Sequence, residues 1–482
     1  MASLEEIRKI RLEKRNRLEE GGMNPYPADI DFSRTLQEVG ENFKDGEEVD
    51  LVGRVMSIRG QGALLFFNFY DGTGTFQGVL KKDTIGEDKF SLFNENVDIG
   101  DFVSVKGKLF ITKRGQESVG IIEWKMVTKS LRPLPEKWHG LQDTEERYRK
   151  RYLDILMNPE IKELFVKKAK FWKVVRSFFE EKKFIEVETP VLELTTGGAE
   201  AKPFKTHHND FDIDLYLRIS VGELWQKRLI AGGFNKIFEI GKVFRNEGTS
   251  AEHLQEFTNL EFYWAFANYE KGMDLVKDLY KKIAQDVFST TKFKLEKYEF
   301  DLADEWKKID YHDEVLKQTG IDIISATEEE MKSKLKELHV NYSGGENKER
   351  LTDTLWKYCR KNIAGPAFLV NHPKLIAPLA KSKEGKPEVV DMFQPIIAGS
   401  EMGRGYSELN DPVDQKARFD KQQELLNAGD DEAMMLDDEF VEMLEHGMPP
   451  TCGFGFGERF FWTLAGVSAR EGTLFPLMRP KE

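Results

Sequence analysis

Cysteine is scarce in this sequence, and long apolar runs are missing from it. The 482 residues include two cysteines, Cys359 and Cys452, too few for a disulfide framework or for a zinc site built on cysteine alone. No run of about 18 uncharged apolar residues, the mark of a membrane-spanning helix, occurs. The first nine residues alternate charges and lack the apolar stretch of a secretory signal. These absences predict a cytoplasmic chain with no membrane partner.

An excess of positive charge and internal repeats are also missing. The formal net charge of −13 argues against a protein that coats nucleic acid nonspecifically, but it leaves a local RNA contact open. Hydrophobic residues make up 40% and charged residues 32% of the chain, as in soluble globular proteins. A chain of this length exceeds one ordinary hydrophobic core, so we expect two or three domains.

Changes in the helix, strand and linker patterns divide the chain into four parts. They are an N-terminal helical extension, a β-rich domain, a linker and a large C-terminal domain, at 1–46, 47–130, 131–158 and 159–482. Six basic residues cluster in the extension: Arg8, Lys9, Arg11, Lys14, Arg15 and Arg17. Both a solvated helix face and an RNA contact fit that cluster.

Residues 47–130 contain about five strand patterns separated by glycine turns. That many strands in under a hundred residues predicts a small closed barrel of the OB type. Such barrels commonly bind single-stranded nucleic acid by stacking bases on exposed aromatic rings. Phe66 and Phe69 are candidates for this role, although most strand phenylalanines belong to a core.

The large domain alternates long helical patterns with strands in no regular βαβ rhythm. This arrangement predicts an α+β domain on an antiparallel sheet rather than a doubly wound sheet. Residues 269–360 are charged and helical in pattern, which indicates a helical insertion within that domain.

A strand pattern at 238–244 ends in Arg245, and a second strand pattern begins near residue 256. Two strands joined by a polar loop would bring Arg245 close to Glu261. The arginine then has two interpretations, a planar fork for phosphate or carboxylate and a salt bridge across the hairpin. His253, on the loop, would be within reach of a terminal phosphate. Phe257, in the second strand pattern, could stack beneath a purine ring.

Acidic and glycine-rich strand patterns follow near the C-terminus. Glu401 and Glu408 are seven positions apart, so they face opposite sides of a regular strand, and a bulge at Gly403 or Gly405 is needed for both to reach one site. Carboxylates of this kind suit Mg²⁺ held between protein and phosphates. The alternating glycines of 453–457 would let a nucleotide lie against the backbone, although glycine alternation alone is a weak signal.

Together these motifs resemble the class II aminoacyl-tRNA synthetases, and specifically the lysyl-tRNA synthetases of subclass b. The helix and strand ending at Pro190 resemble the first, dimer-forming motif, residues 244–258 the second and residues 453–459 the third. The segments 131–141, 206–209, 216–219, 406–412 and 444–450 resemble the lysyl branch in particular.

The resemblance implies that lysine and ATP form lysyl-adenylate, that the lysyl group moves to the 3′ end of tRNA(Lys), and that the enzyme is a homodimer using Mg²⁺. The implied catalytic residues are Arg245 and Arg459. The implied ATP-binding residues are Arg245, Glu247, His253, Phe257, Glu401 and Arg459. The implied lysine-binding residues are Gly198, Glu223, Glu261, Tyr263, Tyr406 and Glu408. The implied metal ligands are Gln394, Glu401 and Glu408, and the implied anticodon contacts are Phe66, Gln77 and Gln116.

Charge distinguishes lysine from aspartate, because three glutamates suit a substrate with two ammonium groups. Four features depart from the family pattern. Arg404 replaces an asparagine, Gln394 replaces a metal-binding glutamate, Gln116 replaces a glutamate of the barrel, and the third motif is one residue shorter. One alternative is a relative that charges a lysine analogue, asparagine or aspartate. Another is a paralogue without catalysis that binds only RNA or a partner protein.

Overall fold

Two structural units make up the chain, Met1–Gln142 and Asp143–Glu482. The computed structural model describes residues 3–135, 141–199, 201–342, 347–427 and 434–481. The predicted linker, 131–158, includes residues 136–140, which lie outside the described residues, and helices begin within its second half. The domain limits read from the sequence stay predictions.

The first unit contains a barrel with short helices around it. Its helices are α1 (Leu4–Glu20), α2 (Leu36–Glu41), α3 (Lys82–Ile85) and α4 (Glu87–Asn96). Its strands are β1 (Glu48–Gln61), β2 (Leu64–Tyr70), β3 (Thr75–Lys81), β4 (Phe102–Ile111) and β5 (Glu117–Thr128). The strands close in the order β1-β2-β3-β5-β4, with β3 and β5 parallel and β4 paired back to β1. The predicted five-stranded closed barrel is confirmed.

Residue alternation decides which side chains fill this barrel. In β2 the even positions are half-buried, whereas Leu65, Phe67 and Phe69 are 4%, 1% and 0% exposed. Phe69 is thus a core residue, and Phe66 faces outward. Helix α1 is held to the barrel by the buried Arg11, which donates to the carbonyl oxygens of Ile99, Ser130 and Arg132. At least this member of the basic cluster has a structural contact.

The second unit is built from eleven α-helices and fifteen strands among its described residues. The helices are α5 (Thr144–Arg149), α6 (Arg151–Met157), α7 (Pro159–Glu181), α8 (Glu223–Ala231), α9 (Tyr269–Phe288), α10 (Tyr311–Thr319), α11 (Glu328–Glu337), α12 (Lys348–Cys359), α13 (Pro412–Asn427), α14 (Asp438–His446) and α15 (Arg459–Ala465). The strands are β6 (Ile185–Glu186), β7 (Leu192–Glu193), β8 (Lys205–His208), β9 (Ile213–Leu217), β10 (Lys236–Phe244), β11 (Glu256–Ala265), β12 (Lys292–Leu295), β13 (Tyr298–Asp301), β14 (Lys307–Asp310), β15 (Ala367–Pro373), β16 (Ser382–Lys383), β17 (Lys386–Ile397), β18 (Ser400–Glu401), β19 (Arg404–Ser407) and β20 (Thr451–Gly457).

A ten-stranded sheet dominates this unit. Its main path runs β14-β15-β17-β19-β20-β11-β10-β6, and β16 and β18 pair with β17. The pairs from β15 to β10 are antiparallel, and the two outer pairs, β14 with β15 and β10 with β6, are parallel. Helices α7 and α9 pack apolar residues into the core of the unit, such as Phe179 and Leu279, both 0% exposed. The predicted α+β class with a largely antiparallel sheet is confirmed.

The segment predicted as a helical insertion, 269–360, contains α9 to α12 and also three short strands. Strands β12 and β13 form a hairpin, whereas β14 extends the large sheet. Cys359 and Cys452 are both buried and free. None of the described helices combines the length and the apolar character that a membrane crossing requires.

Candidate active site

A cavity of about 290 Å³ in the second unit brings together residues that are far apart in the sequence. It is lined by side chains and backbone from β11, β17 to β20 and α8, together with the loops between them. All thirteen site residues predicted for this unit line it: Gly198, Glu223, Arg245, Glu247, His253, Phe257, Glu261, Tyr263, Gln394, Glu401, Tyr406, Glu408 and Arg459.

Arg245 follows directly on the last residue of β10. Its backbone N–H donates to Gln255 O (2.8 Å), which continues the hairpin with β11. Its guanidinium donates weakly to Ile219 O (3.4 Å) and lies 5.4 Å from the centre of the Phe257 ring. Burial lowers the pKa of Arg245, and the neighbouring Arg459 adds to this effect.

The hairpin register removes one of the two interpretations of Arg245. Glu261 lies opposite Glu239 across the hairpin, not opposite Arg245. Among the residues that the structure describes, no ion pair joins Arg245 to Glu261. Glu261 instead accepts from Val221 N (2.8 Å) and from the Tyr263 hydroxyl (3.1 Å). The planar donor face of Arg245 is therefore not consumed by a salt bridge across the hairpin.

His253 and Arg459 meet at the same end of the cavity. Arg459 opens α15, and its Nη2 lies 2.8 Å from His253 Nε2, while His253 Nδ1 lies 2.7 Å from Ser250 Oγ. Because a guanidinium can only donate, His253 accepts at Nε2 and is neutral in this arrangement. Burial lowers the pKa of His253, and the charge of Arg459 lowers it further. This end of the cavity is suited to anionic groups.

Three buried glutamates, Glu223, Glu261 and Glu408, form the opposite end of the cavity. Burial raises the pKa of Glu261 to about 7 and that of Glu408 to about 8, and repulsion from Glu223 contributes to both shifts. The hydroxyl of Tyr406 donates to Glu223 Oε1. Enclosed carboxylates of this kind favour a ligand that brings positive charge.

Lys227 is a residue of this end that the sequence reading missed. Its ammonium lies 2.8 Å from Glu223 Oε1 and 2.6 Å from Glu408 Oε2. The sequence holds a signal, because Lys227 follows Glu223 by four residues, the spacing of an ion pair on a helix. Such pairs usually lie on a surface, and the sequence does not reveal that this one is buried.

The glycines of β20 leave space in the cavity at its acidic end. A Cβ at Gly453 would collide with the Glu408 carboxylate and would lie 2.6 Å from Tyr263 Cε1. Gly198, with φ +85°, is in the left-handed region, and a Cβ there would lie 2.6 Å from Glu223 Cβ. Side chains at these positions would fill the space between the glutamates.

The segment from Glu401, which ends β18, to Glu408, which directly follows β19, contains the predicted irregularity. Ile396 pairs with Glu401, but Phe393 pairs with Gly405, so the register against β17 shifts by one residue. Gly403, with φ +151°, lies at the shift. This extra residue lets both carboxylates reach the cavity.

The residues predicted as metal ligands already have partners. Glu401 Oε1 accepts from Trp356 Nε1 (2.6 Å), and Gln394 Oε1 lies 2.8 Å from His372 Nε2. Burial lowers the pKa of His372 to about 3, so this imidazole is neutral at physiological pH. A neutral imidazole that donates from Nε2 occupies one lone pair of the Gln394 oxygen.

The predicted anticodon contacts share one region of the barrel. Phe66 on β2 is half-buried, and the Arg59 guanidinium lies 5.9 Å from the centre of its ring. Arg59 also donates to Gln77 Oε1 (3.0 Å), and the buried Gln77 donates to Ser118 Oγ (2.8 Å). Gln116 is exposed in the turn before β5, and its carbonyl oxygen accepts from the Ser118 hydroxyl (3.2 Å).

Comparisons with known proteins agree with this division. Residues 143–479 match the family tRNA synthetases class II (D, K and N), and residues 49–134 match the OB-fold nucleic acid binding domain. Lysine–tRNA ligases of Thermosipho africanus and Thermotoga maritima are each 42% identical to the chain, and each alignment covers 99% of this chain and 97% of the relative. The lysine–tRNA ligase of Moorella thermoacetica is 40% identical over 98% of both chains. The chain therefore belongs to the class II tRNA synthetases and, within them, to the lysine–tRNA ligase family.

Proposed function

We propose that this protein activates L-lysine with ATP to lysyl-adenylate and transfers the lysyl group to the 3′ end of tRNA(Lys), releasing pyrophosphate and AMP. The observation that carries the proposal is the polarity of one cavity. It has three buried glutamates at one end and Arg245, Arg459 and His253 at the other. Lysine presents two ammonium groups and a carboxylate, and ATP presents phosphates, so the two substrates match the two ends.

The chemistry needs orientation more than proton transfer. An oxygen of the ionised lysine carboxylate attacks the α-phosphorus, and the bond to the β-phosphate oxygen breaks as pyrophosphate leaves with its electron pair. No general base is required for this step. Arg245 is assigned to hold the carboxylate and the α-phosphate together and to stabilise the negative charge that develops between them. In the second step a ribose hydroxyl of the tRNA attacks the acyl carbon, and AMP leaves.

The ATP-binding roles follow from the basic end. Phe257 offers a ring face to the purine beside the Arg245 guanidinium, and Glu247 is assigned to adenine. His253 and Arg459, which hold one another at 2.8 Å, are assigned to the phosphates. Phosphate oxygens accept from guanidinium groups more strongly than a neutral imidazole does. When ATP binds, we therefore expect the Arg459 guanidinium to donate to a phosphate instead of to His253.

The lysine-binding roles follow from the acidic end. Glu223, Glu408, Tyr263 and Tyr406 are assigned to the side-chain ammonium, and Glu261 with the backbone at Gly198 to the α-ammonium. Glu408 supports this assignment, because its Oε1 is buried and has no hydrogen-bond partner among the described residues. A buried carboxylate oxygen without a donor is costly until a ligand supplies one.

Magnesium is proposed beside Glu401, whose carboxylate interacts with Arg459 of the basic end. Glu401 lines the cavity and keeps one carboxylate oxygen beyond its bond to Trp356, which suits a hard cation completed by phosphate oxygens. Gln394 is neutral and shares its oxygen with His372, and Glu408 is paired with Lys227, so both would contribute less than Glu401. Mg²⁺ would neutralise phosphate charge there.

The barrel is proposed to bind the anticodon of tRNA(Lys). Phe66 supports stacking, because it faces outward beside the Arg59 guanidinium, which also donates to Gln77. Gln77 and Gln116 are assigned to base edges; Gln77 is largely buried by Arg59 and Ser118, so its contact would require a base to enter that pocket. The assignment of Gln116 rests on its exposed position near Ser118.

A cytoplasmic homodimer is proposed as the working form. Strand β6 ends the large sheet, and exposed apolar residues lie on and near it: Ile185, Val191, Leu192 and Leu194, which are 41–64% exposed. A sheet edge with an apolar surface of this kind is typical of an interface. Sedimentation equilibrium gives the oligomeric state directly, and a monomer at micromolar concentration would contradict this part of the proposal.

The function is tested by amino-acid-dependent exchange of pyrophosphate into ATP. We expect exchange with lysine and at most a trace with aspartate or asparagine, because their side chains bring no cation to the three glutamates. Equal exchange with aspartate would refute the lysine assignment. Absence of exchange with every amino acid, together with retained binding of tRNA(Lys), would favour a paralogue without catalysis.

A further inference from the structure

A lysine side chain is enclosed behind the acidic end of the cavity. Lys227 lies on α8, one turn after Glu223, and its side chain is 1% exposed. Its ammonium contacts Glu223 Oε1 at 2.8 Å and Glu408 Oε2 at 2.6 Å. Three aromatic rings surround the ammonium at 5.6–5.9 Å: Tyr263, Tyr406 and Phe440. The charge is thus held by two carboxylates and by ring faces.

Lys227 supports the wall of the cavity without forming part of it. Glu223 and Glu408 line the cavity, whereas Lys227 is not among the described lining residues. The ammonium holds Oε2 of Glu408, and the other oxygen, Oε1, lies against Gly453 in the wall with no donor among the residues described. Lys227 therefore fixes one oxygen of this carboxylate and leaves the second for a ligand.

Charge balance gives this arrangement a second consequence. When Glu223, Glu261 and Glu408 are all ionised, they carry three negative charges in one enclosed space. Lys227 reduces the total to two, which equals the number of ammonium groups on a lysine substrate. Without Lys227 the acidic end would carry one uncompensated charge even when the substrate is bound.

Burying this ammonium is costly, so its presence requires a reason. A well-packed apolar side chain in place of a buried ion pair is often neutral or stabilising, whereas an isolated buried charge is strongly destabilising. An apolar residue at 227 would still pack against the three rings, but it would leave the buried carboxylates of Glu223 and Glu408 without their cation. The charge of Lys227 thus acts on Glu223 and Glu408.

We propose that Lys227 is a positioning residue that orients Glu223 and Glu408 and sets the charge of the acidic end to match substrate lysine. The inference rests on the proposed function, because it specifies how that site selects a dicationic amino acid. Lys227 touches no reacting atom, and its effect reaches the substrate through the two carboxylates. Its loss should therefore weaken lysine binding far more than it slows the chemistry at the other end of the cavity.

The test replaces Lys227 with methionine, which has a similar length and no charge, and measures exchange in the full-length protein. We expect the KM for lysine to rise about tenfold or more, because one partner of a buried charge cluster is removed. We expect kcat to stay within about threefold and the KM for ATP to be unchanged. Selectivity for lysine over norleucine, an uncharged straight-chain analogue whose side chain is one heavy atom shorter, should fall. Lys416→Met is the matched control, because Lys416 also pairs with a carboxylate four residues away, Asp420, but on an exposed helix face.

Several outcomes would overturn the inference. An unchanged KM for lysine would show that the carboxylates do not depend on Lys227, and a lower KM would show that Lys227 competes with the substrate. A fall in kcat with lysine selectivity retained would indicate a merely structural role. If the wild-type protein shows no lysine-dependent exchange, the proposed function itself fails, so wild-type exchange is measured first.

Two further variants keep the inference testable if Lys227→Met does not fold. Lys227→Arg retains the charge, and we expect its KM for lysine to stay within about fivefold of the wild-type value. The double variant Lys227→Met/Glu408→Gln removes one charge of each sign. It should be more stable than Lys227→Met, because only Glu223, and not both Glu223 and Glu408, is left without its cation. If the double variant also failed to fold, packing rather than charge would be the role of Lys227.

Discussion

Among the single residues of the site, Arg245 lies where the β10–β11 hairpin opens into its loop, beside an aromatic ring. It directly follows strand β10, and the Phe257 ring lies beside its guanidinium. Among the described residues, the hydrogen bonds of this guanidinium are the two long ones to Ile219 O. Arg245 is half-buried, and an arginine partly removed from water without a close carboxylate partner is costly unless a ligand supplies negative charge. The role proposed for it, between the lysine carboxylate and the α-phosphate, provides that charge.

Replacing Arg245 with alanine should stop adenylate formation and leave the fold intact. We expect lysine-dependent exchange to fall by about 10³-fold, the upper range for removing a transition-state charge partner. Thermal unfolding should change little, because the guanidinium has few strong contacts. Arg34→Ala is the control, since Arg34 forms a partly exposed ion pair with Glu47 in the barrel unit. Exchange close to the wild-type rate in Arg245→Ala would remove the assigned role.

Glu193 offers a test of electrostatics away from the metal and nucleotide residues. Its side chain is buried, Oε1 accepts from Trp225 Nε1 (3.1 Å), and Oε2 has no partner among the described residues. Burial raises the pKa of Glu193 from 4.5 to about 8. Since the folded-state pKa lies above the unfolded value, its stabilising contribution is complete below pH 4.5 and is lost as the pH rises towards 8.

The Glu193→Gln variant should therefore lose part of this pH dependence. Between pH 5 and 8 the wild-type free energy of unfolding should fall relative to the variant, by at most about 1.4 kcal/mol per pH unit. Denaturant unfolding of both proteins across that range measures the difference. Parallel pH profiles for the two proteins would show that Glu193 is already ionised in the folded state.

At the scale of secondary-structure elements, β20 shows how a strand can form a binding surface by lacking side chains. Its central position in the sheet brings Gly453 next to the carboxylate of Glu408 and the ring of Tyr263. The strand keeps its backbone ladder with β11 and β19 while its glycines leave the cavity open. The sheet thus supplies rigidity and the glycines supply volume.

The Gly453→Ala variant should displace Glu408 without unfolding the sheet. We expect the KM for lysine to rise by about tenfold or more, because a repositioned buried carboxylate loses its hydrogen bond to the substrate. Stability should fall by about 1–3 kcal/mol through overpacking. Gly40→Ala is the control, since a Cβ at Gly40 meets nothing within 4 Å. Unchanged lysine kinetics in Gly453→Ala would show that Glu408 does not depend on this space.

Elements were predictable from sequence where a local pattern reports directly on geometry. Alternation in β2 predicted the barrel strand, and the seven-residue spacing of Glu401 and Glu408 required the bulge that the structure has near Gly403. Local sequence patterns do not report the burial of a side chain or its long-range contacts. Lys227 was therefore given no role. The strands β12 to β14 were missed, because four-residue strands depend on their sheet partners.

At the scale of the whole molecule, the proposed function assigns a different kind of recognition to each of the two units. The cavity that holds the predicted lysine and ATP residues belongs entirely to the second unit, whereas Phe66, Gln77 and Gln116 belong to the first. Amino-acid activation uses only small substrates and should not require the barrel. Charging of tRNA should require both units, because a stacked base contributes about 1–3 kcal/mol to binding.

The Phe66→Ala variant tests this separation of functions. Lysine-dependent exchange should match the wild-type rate, while kcat/KM for tRNA(Lys) charging should fall by about 5- to 150-fold, the equivalent of losing one stacked base. Phe66 is half-buried on the outer face of β2, so its truncation removes a stacking surface without opening the barrel core. The Phe69→Ala variant is the contrasting control, because Phe69 is fully buried and its loss should lower stability instead. A fall in exchange equal to the fall in charging would show that Phe66 supports the fold or the catalytic unit, and that anticodon binding lies elsewhere.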